Sequence, residues 1–496
     1  MNLNPIKKLA GETAIYGLST IVGRFLNYLL VPLYVSFFKP SEYGVVTEFY
    51  AYVTFLNIIL TYGMETGYFK FAQQQKNREV FYTAFSSLFV TTFLFAFFGL
   101  LFRQDIATAL NYPSHPEYIG WFVLILSFDT LSAIPFADLR IRNKPLLFSS
   151  LKVLNVLINI LLNLFFLIVC PYFATRYPDS FFRWIYNPAT GVGYIFISNL
   201  IASVITFSIF LFSFKGPFQF SYSLLKKMLV YSLPLLVAGL AGNINDSIDR
   251  VIMKYFLPAH LDEMHELGIY GANTKLAVIM ILFIQMYRFA AEPFFFTYEK
   301  EKDSRQVFAD LTKYFVLFVS LIFLVITLYI DFFKYFIPNP AYWEGLKVVP
   351  LALLANMTLG IYFNLSMWYK LTSRTYFGSR ITLIAAALTV VLNILLIGTM
   401  GYMACAWARF AGYLSMALLA YFIGQKYYPI RYDWRAIFSY LALALAVFAV
   451  ASFTRMENGV LNVAKNTLLL AGFLTFVWIK EKVFIKKIIF HGSTGH

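Results

Sequence analysis

The chain has 496 residues, of which 60% are hydrophobic, 20% are aromatic and only 13% are charged, and its formal net charge is +15. Soluble globular domains carry about 25% charged residues, so this composition excludes the soluble enzyme and binding-module classes. Apolar runs of about 18 residues or more recur along the whole length, which is typical of a polytopic membrane protein. The basic residues lie mostly in short segments between these runs, a pattern of membrane topology, and this excludes nucleic-acid binding.

Hydropathy predicts an all-α membrane protein with about fourteen transmembrane helices, each long enough to cross about 30 Å of hydrocarbon at about 1.5 Å per residue. The predicted spans are 9–38, 45–69, 80–102, 117–139, 146–170, 190–213, 228–257, 267–291, 307–330, 347–370, 378–398, 402–424, 436–454 and 461–479. The first run is too long for a signal-peptide core, and we expect it to remain as an uncleaved span.

The positions of lysine and arginine predict the orientation. If the N-terminus is inside, 26 of the 40 basic residues fall in inside segments and 8 in outside segments. Basic residues concentrate on the cytoplasmic side of membrane proteins, so both termini are expected in the cytoplasm. The outer loop 257–266 carries three acidic residues and no lysine or arginine, which agrees with this orientation.

The six basic residues counted on neither side fall inside predicted spans: Arg24, Arg250, Lys254, Lys275, Arg288 and Arg409. Lys254 is close enough to the outer end of its span for its side chain to reach the interface. The other five would each cost about 3 kcal/mol in lipid, so we expect them to line a shared hydrated cavity. The nearby acids are fewer, which gives this cavity a cationic bias: Asp129, Asp246, Asp249 and Glu292.

The stretch 229–257 combines a long apolar run with charges that appear well before the run ends. Asp246 and Arg250 stand four residues apart, so on a helix they share one face and can pair. Two interpretations stay open. These charges either pair near the membrane interface or form the polar lining of a central cavity.

The two halves of the chain repeat weakly. Tyr43-Gly44 recurs as Tyr270-Gly271, and Glu65 recurs as Glu292, both at an offset of 227 residues. Such repeats predict two six-helix lobes, with a substrate site between them. The predicted domains are an N-lobe over 1–215, a C-lobe over 216–427, and spans 13 and 14 with a cytoplasmic tail over 428–496.

Motifs for catalysis or cofactor binding were sought and are absent. The sequence has no P-loop, no HExxH motif, no cysteine pattern for zinc and no Gly-x-Ser-x-Gly. We therefore expect no cofactor, no metal site and no enzymatic activity. Two cysteines in apolar runs indicate no disulfide framework.

Three segments together resemble a known family. YGLSTIVGRFLNYLLVPLYVSFFKPSEYGVV (16–46), SLPLLVAGLAGNINDSIDRVIM (232–253) and LGIYGANTKLAV (267–278) resemble the lobe openings of O-antigen and polysaccharide flippases. These belong to the multidrug/oligosaccharidyl-lipid/polysaccharide (MOP) exporter superfamily, which includes the MATE transporters. The resemblance covers both lobes, and the fourteen-span count agrees with it.

The resemblance implies two lobes around a cationic cavity that takes the pyrophosphate and sugars of an undecaprenyl-linked oligosaccharide. Alternating access would then carry this O-antigen, capsule or exopolysaccharide unit across a bacterial inner membrane, with a glycan polymerase or glycosyltransferases as further partners. Arg24 and Arg250 match motif positions, and Lys275 follows the repeated Tyr-Gly pair. Arg288 and Arg409 are added from their depth in the membrane alone.

Two other functions stay open. A cation-coupled MATE-like exporter would favour an acidic cavity, whereas a glycan polymerase or acyltransferase would be expected to show a large outer loop or clustered catalytic residues. The last two spans either form a groove for the polyprenyl tail or only pack against the lobes. Five acids are candidates for ion coupling or for structural pairing: Glu65, Asp129, Asp246, Asp249 and Glu292.

Overall fold

The structure is a computed structural model that describes residues 17, 21–75, 78–177, 179–212, 214 and 217–491, with side chains as far as residue 482. Within these residues it is built of helices and connecting turns and has no strand. This confirms the predicted all-α class. The part of the first predicted span from 9 to 20 falls mostly outside the described residues.

Fourteen apolar helices, here α1 to α14, correspond one to one with the predicted spans over the described part of the chain. Thirteen of them are long and apolar enough to cross a membrane, and α1 is shorter. Their bounds are α1 Ile21–Phe37, α2 Pro40–Gln74, α3 Arg78–Leu101, α4 Pro116–Ile141, α5 Pro145–Arg176, α6 Gly193–Leu211, α7 Tyr222–Phe256, α8 Glu263–Tyr298, α9 Ser304–Leu328, α10 Pro340–Leu371, α11 Tyr376–Met400, α12 Tyr402–Tyr427, α13 Trp434–Phe453 and α14 Gly459–His491.

Local chemistry sets several helix ends and bends. At the start of α2, Pro40 occupies the first turn, and the Glu42 carboxylate accepts a hydrogen bond from the Lys39 backbone N–H at 2.8 Å. Further along, α2 is interrupted at Tyr62 and Gly63, which both have left-handed φ values, of 34° and 71°. Glycine adopts this conformation without steric strain, so the interruption causes no backbone strain at Gly63.

The chain forms two compact units. The first contains the described residues up to 271 together with 382–405, and the second contains 272–381 and 406–491. The first unit has an aromatic core in which Phe49 packs on Phe122 and Phe196, with ring centroids 4.8 and 5.4 Å away. The predicted domain boundaries at 215 and 427 stay a prediction.

The two copies of the Tyr-Gly repeat pack against each other within the first unit. A Cβ added at Gly44 would overlap the backbone oxygen of Met264, and one at Gly268 would overlap the backbone oxygen of Pro40. A Cβ at Gly271 would likewise overlap the side chain of Thr47. The start of α2 and the start of α8 therefore approach to backbone contact. We call these glycines and the residues they touch the glycine seam.

In the second unit, polar anchors attach α14 to α9 and α13. Glu481 of α14 is buried and accepts hydrogen bonds from Lys313 at 3.1 Å, from Tyr314 at 3.0 Å and from Tyr440. Nearer the start of the same helix, Asn466 donates to the backbone oxygen of Leu328 at 2.6 Å. The last two helices are thus fixed by specific hydrogen bonds as well as by apolar packing.

Candidate functional site

The first part of the candidate site consists of charged side chains on α1 and α7. Arg24 is exposed on α1, and Asp246, which is exposed on α7, interacts with it electrostatically. One turn further along α7, Arg250 is half-buried, and its Nε atom is buried with no hydrogen-bond partner among the described residues. An unsatisfied buried donor costs about 1–3 kcal/mol, and more when it is charged. Arg24 thus has an acidic neighbour on α7, and the Arg250 Nε keeps an unused hydrogen-bond donor.

Asp249 has a structural role in this arrangement. It is only 1% exposed. One carboxylate oxygen accepts from the Arg250 backbone N–H at 2.9 Å, and the other accepts from the Tyr270 hydroxyl at 2.5 Å. Tyr270 belongs to the second Tyr-Gly repeat, so this hydrogen bond ties the repeat to α7.

Lys254 is enclosed within the protein, and its expected reach to the membrane interface stays a prediction. Its ammonium lies 2.8 Å from a Glu48 oxygen, and both side chains are at most 2% exposed. The ammonium also donates to the backbone oxygen of Leu110 at 2.6 Å. The Glu48 carboxylate supplies a counter-charge and Leu110 a second acceptor, and together they offset the cost of burying this ammonium.

Glu48 is the residue that the sequence reasoning missed. Besides Lys254, its carboxylate accepts from the hydroxyls of Tyr52, at 2.7 Å, and of Tyr112. A signal for it exists, because Glu48 stands 227 residues before Lys275, the same offset that relates the two Tyr-Gly pairs. A search for charges at repeat-related positions would have found it.

The repeat-related acids Glu65 and Glu292 each pair with a cation near the end of another helix in the same unit. Glu65 of α2 lies 3.3 Å from Arg140 of α4. Glu292 of α8 lies 2.5 Å from Lys370 of α10 and 3.6 Å from Arg288 one turn earlier. Arg288, itself 47% exposed, packs its guanidinium over the ring of Phe363 at 4.5 Å.

Asp129 lines a separate polar cavity in the first unit. Its carboxylate accepts a hydrogen bond from the Ser203 hydroxyl at 2.7 Å, and Lys152 interacts with it electrostatically. Glu65 and Lys152 line the same cavity, whose volume is about 540 Å³. The structure therefore brings Asp129 together with Glu65, and not with Asp246 or Asp249.

Lys275 and Arg409 belong to the second unit. Lys275 begins a short 3-10 turn over Lys275–Ala277 inside α8, and Arg409 lies on α12; both side chains are half-buried. Each makes polar or electrostatic interactions within the protein. The gathering of all five cations around one cavity stays a prediction. Over the described part of the chain, no three His, Cys, Asp or Glu side chains are placed to hold a metal ion.

A family model described as "Polysaccharide biosynthesis protein" matches residues 9–299, which is more than half of the chain. The chain belongs to this family. Among curated proteins, no sequence matches it. Membership confirms the family resemblance expected from residues 16–46 and 232–253.

Solved structures show the same fold at low sequence identity. A lipid II flippase MurJ in an inward closed conformation aligns with a TM-score of 0.73 and 14% identity, covering 95% of this chain and 99% of that chain. An inward-facing multidrug resistance MATE transporter of the MOP superfamily aligns at 0.58 and 12%, covering 84% and 94%. The Vibrio cholerae MATE transporter VcmN in its bent form aligns at 0.51 and 12%, covering 88% and 98%. The chain therefore has the fold shared by MurJ and the MATE transporters, as predicted, and thirteen of its described helices are long and apolar enough to cross a membrane.

Proposed function

We propose that this family member is a flippase that moves a lipid-linked oligosaccharide from the cytoplasmic to the outer leaflet by alternating access. The observation that carries the proposal is the combination of the family match with a flippase-like fold over 95% of the chain. On this proposal the protein is a transporter and not an enzyme. It handles an undecaprenyl-pyrophosphate-linked O-antigen, capsule or exopolysaccharide unit.

The proposed pyrophosphate ligands are five of the cations on the membrane helices, of which Arg24 and Arg250 have the strongest support. A guanidinium group can donate two parallel hydrogen bonds to one phosphate, and it stays charged at any physiological pH. The exposed side chain of Arg24 and the unsatisfied Nε of Arg250 leave donors for an anion. The remaining three proposed ligands are Lys275, Arg288 and Arg409.

The arrangement in the cell is also part of the proposal. We place the protein in a bacterial inner membrane with both termini in the cytoplasm, since the inside segments hold 26 of the 40 basic residues. Two six-helix lobes, 1–215 and 216–427, would move against each other, and 428–496 would supply the last two helices and the tail. A glycan polymerase or glycosyltransferases are the proposed partners.

The test is a glycan-display assay in a bacterial strain that lacks its own flippase. Arg24→Ala and Arg250→Ala should each reduce displayed glycan at least about tenfold, because one charged hydrogen-bonding group contributes about 1.5–3 kcal/mol. Arg103→Ala is the matched control, since Arg103 is exposed just after α3. It should display normally. Immunoblots of membrane fractions confirm equal protein levels.

The same strain distinguishes the competing functions. Normal display by both arginine variants would contradict the pyrophosphate assignment. Export of cationic drugs without glycan display would favour the MATE-like alternative. Growth of a lipid-linked polymer from repeat units supplied to the purified protein would favour an enzyme.

A further inference from the structure

The first unit contains a polar cavity that the proposed pyrophosphate ligands do not explain. Helices α2, α4, α5 and α6 enclose about 540 Å³, a size within the range of about 300–1,000 Å³ that is typical of small-molecule sites. None of the five proposed phosphate-binding cations lines it. Its polar lining includes Thr61, Glu65, Asp129, Lys152, Asn155 and Thr206.

The charged groups in this cavity keep unused hydrogen-bonding capacity. Over the described residues, Asp129 accepts only the Ser203 hydroxyl, although an ionised carboxylate can accept about four hydrogen bonds. Among the described residues, Lys152 also has no hydrogen-bond acceptor, and its Nζ lies 4.1 Å from the centre of the Phe136 ring. A ligand can therefore both donate to and accept from these two side chains.

The neutral polar groups are held in position by their neighbours. Asn155 of α5 donates to the hydroxyl of Thr206 on α6 at 2.9 Å, which orients the amide between the two helices. Thr61 bonds back to the Asn57 carbonyl at 2.7 Å, which fixes its side chain on α2. The lining thus presents amides and hydroxyls in fixed orientations, as a specific polar site requires.

The charge of the lining decides which part of a lipid-linked glycan it can bind. Two carboxylates, Glu65 and Asp129, face one ammonium, Lys152, so the lining itself carries a formal charge of −1. Arg140 lies outside the lining and pairs with Glu65, which brings the local sum to about zero. A pyrophosphate would meet no net positive charge here, whereas sugar hydroxyls, which both donate and accept, match the lining.

We propose that this cavity, which we call the sugar subsite, binds uncharged sugar residues of the transported glycan and discriminates against acidic sugars. The inference rests on the proposed function and assigns the sugar-binding part of it to α2, α4, α5 and α6. The apolar rings of Phe136 and Phe148 in the same lining supply surfaces for the C–H faces of the sugar. The carboxylate of an acidic sugar would meet the like charges of Glu65 and Asp129, which gives the subsite its selectivity.

The experiment measures disaccharide binding to the whole protein in lipid nanodiscs by saturation-transfer NMR. The probes are cellobiose, N,N′-diacetylchitobiose and digalacturonate. The first two should bind, and digalacturonate should bind at least about tenfold more weakly. Asp129→Asn and Asn155→Leu should each weaken binding of the neutral probes about tenfold, as expected for losing one hydrogen bond to a charged or oriented group.

Asn159→Leu is the matched control, because Asn159 lies one turn along α5 from Asn155 and outside the cavity lining. Asn159→Leu removes a 3.0 Å hydrogen bond from Asn163 to the Asn159 side-chain oxygen and keeps the 2.8 Å one to the Asn159 backbone oxygen. Neither residue lines the cavity, so disaccharide binding should be unchanged. Size-exclusion profiles confirm that each variant is folded. If Asn155→Leu does not fold, Asp129→Asn, which keeps the shape of the side chain, decides the result.

Three results would overturn the sugar subsite. The first is unchanged disaccharide binding by both cavity variants, and the second is binding of digalacturonate as tight as that of the neutral probes. The third is an Asp129→Asn variant that binds sugars normally but loses transport, which would make Asp129 an ion-coupling group. A second measurement, the binding of sugar-free polyprenyl pyrophosphate to the protein in the same nanodiscs, distinguishes failure of the sugar subsite from failure of the proposed function. That binding should depend on Arg24 and Arg250 and be insensitive to Asn155→Leu.

Discussion

At the scale of single residues, the partner of a membrane-embedded charge decides its role. Lys254 and Arg250 lie one turn apart on α7, yet Lys254 is enclosed with Glu48, whereas the Arg250 Nε has no hydrogen-bond partner among the described residues. A buried pair of opposite charges contributes to a stable fold only while both partners are present. Lys254 therefore serves the structure, and Arg250 stays the proposed anion ligand.

Replacing Lys254 with methionine tests this assignment. Lys254→Met should destabilise the protein by about 3–5 kcal/mol, because it leaves the Glu48 carboxylate buried without its counter-ion. The double variant Lys254→Met/Glu48→Leu should recover much of the loss. Thermal unfolding of detergent-purified protein measures both effects. Lys39→Met, at an exposed lysine before α2, is the control and should change stability by less than about 0.5 kcal/mol. A single variant as stable as the control would contradict the role of the ion pair.

The sequence could predict that charges lie inside the membrane, but not which of them pair. Charged residues within apolar runs are directly visible in the sequence, and the family motifs singled out Arg24 and Arg250 as candidate phosphate ligands. The contact between Glu48 and Lys254 joins residues 206 positions apart. Hydropathy carries no information about such a separation, so only the weak internal repeat could have pointed to Glu48.

At the scale of helices, the glycine seam brings the two copies of the Tyr-Gly repeat into contact. Gly44 of α2 faces the backbone of Met264, and Gly268 of α8 faces the backbone of Pro40. Each helix therefore has a glycine where the backbone of the other helix comes close. The fourteen spans were predictable because apolar length alone indicates a membrane helix. The seam was not, because similarity between two segments does not show that they touch.

Alanine substitutions test the seam. Gly44→Ala and Gly268→Ala should each destabilise the protein by about 1–3 kcal/mol, because a methyl group would overlap a backbone oxygen that cannot move aside as a side chain can. Gly242→Ala is the matched control, since a Cβ there has no atom within 4 Å. It should be neutral or stabilising by up to about 1 kcal/mol, because alanine favours the helix. Equal melting temperatures for all three variants would mean that the helices are not in backbone contact.

At the scale of the whole molecule, the two compact units repeat one ion pair. Glu65 meets Arg140 in the first unit, and Glu292 meets Lys370 in the second, with the acids 227 residues apart. In each unit the pair joins the second helix of a predicted lobe to its fourth. The equivalence is incomplete in one respect, because Glu292 also has Arg288 at 3.6 Å.

This difference predicts unequal outcomes when the charges are exchanged. Glu65→Arg should lower stability by up to about 1 kcal/mol, as expected for a partly exposed pair. Glu65→Arg/Arg140→Glu should restore most of it, because Lys152 interacts with position 65 only electrostatically and not as an ion pair. Glu292→Lys should cost more, and Glu292→Lys/Lys370→Glu should restore stability only in part, because the introduced ammonium still faces Arg288. Adding Arg288→Gln to that double variant should complete the recovery. Melting temperatures of the purified variants measure each step. Full recovery in the second unit while Arg288 is intact would show that Arg288 does not act on Glu292 and is held elsewhere.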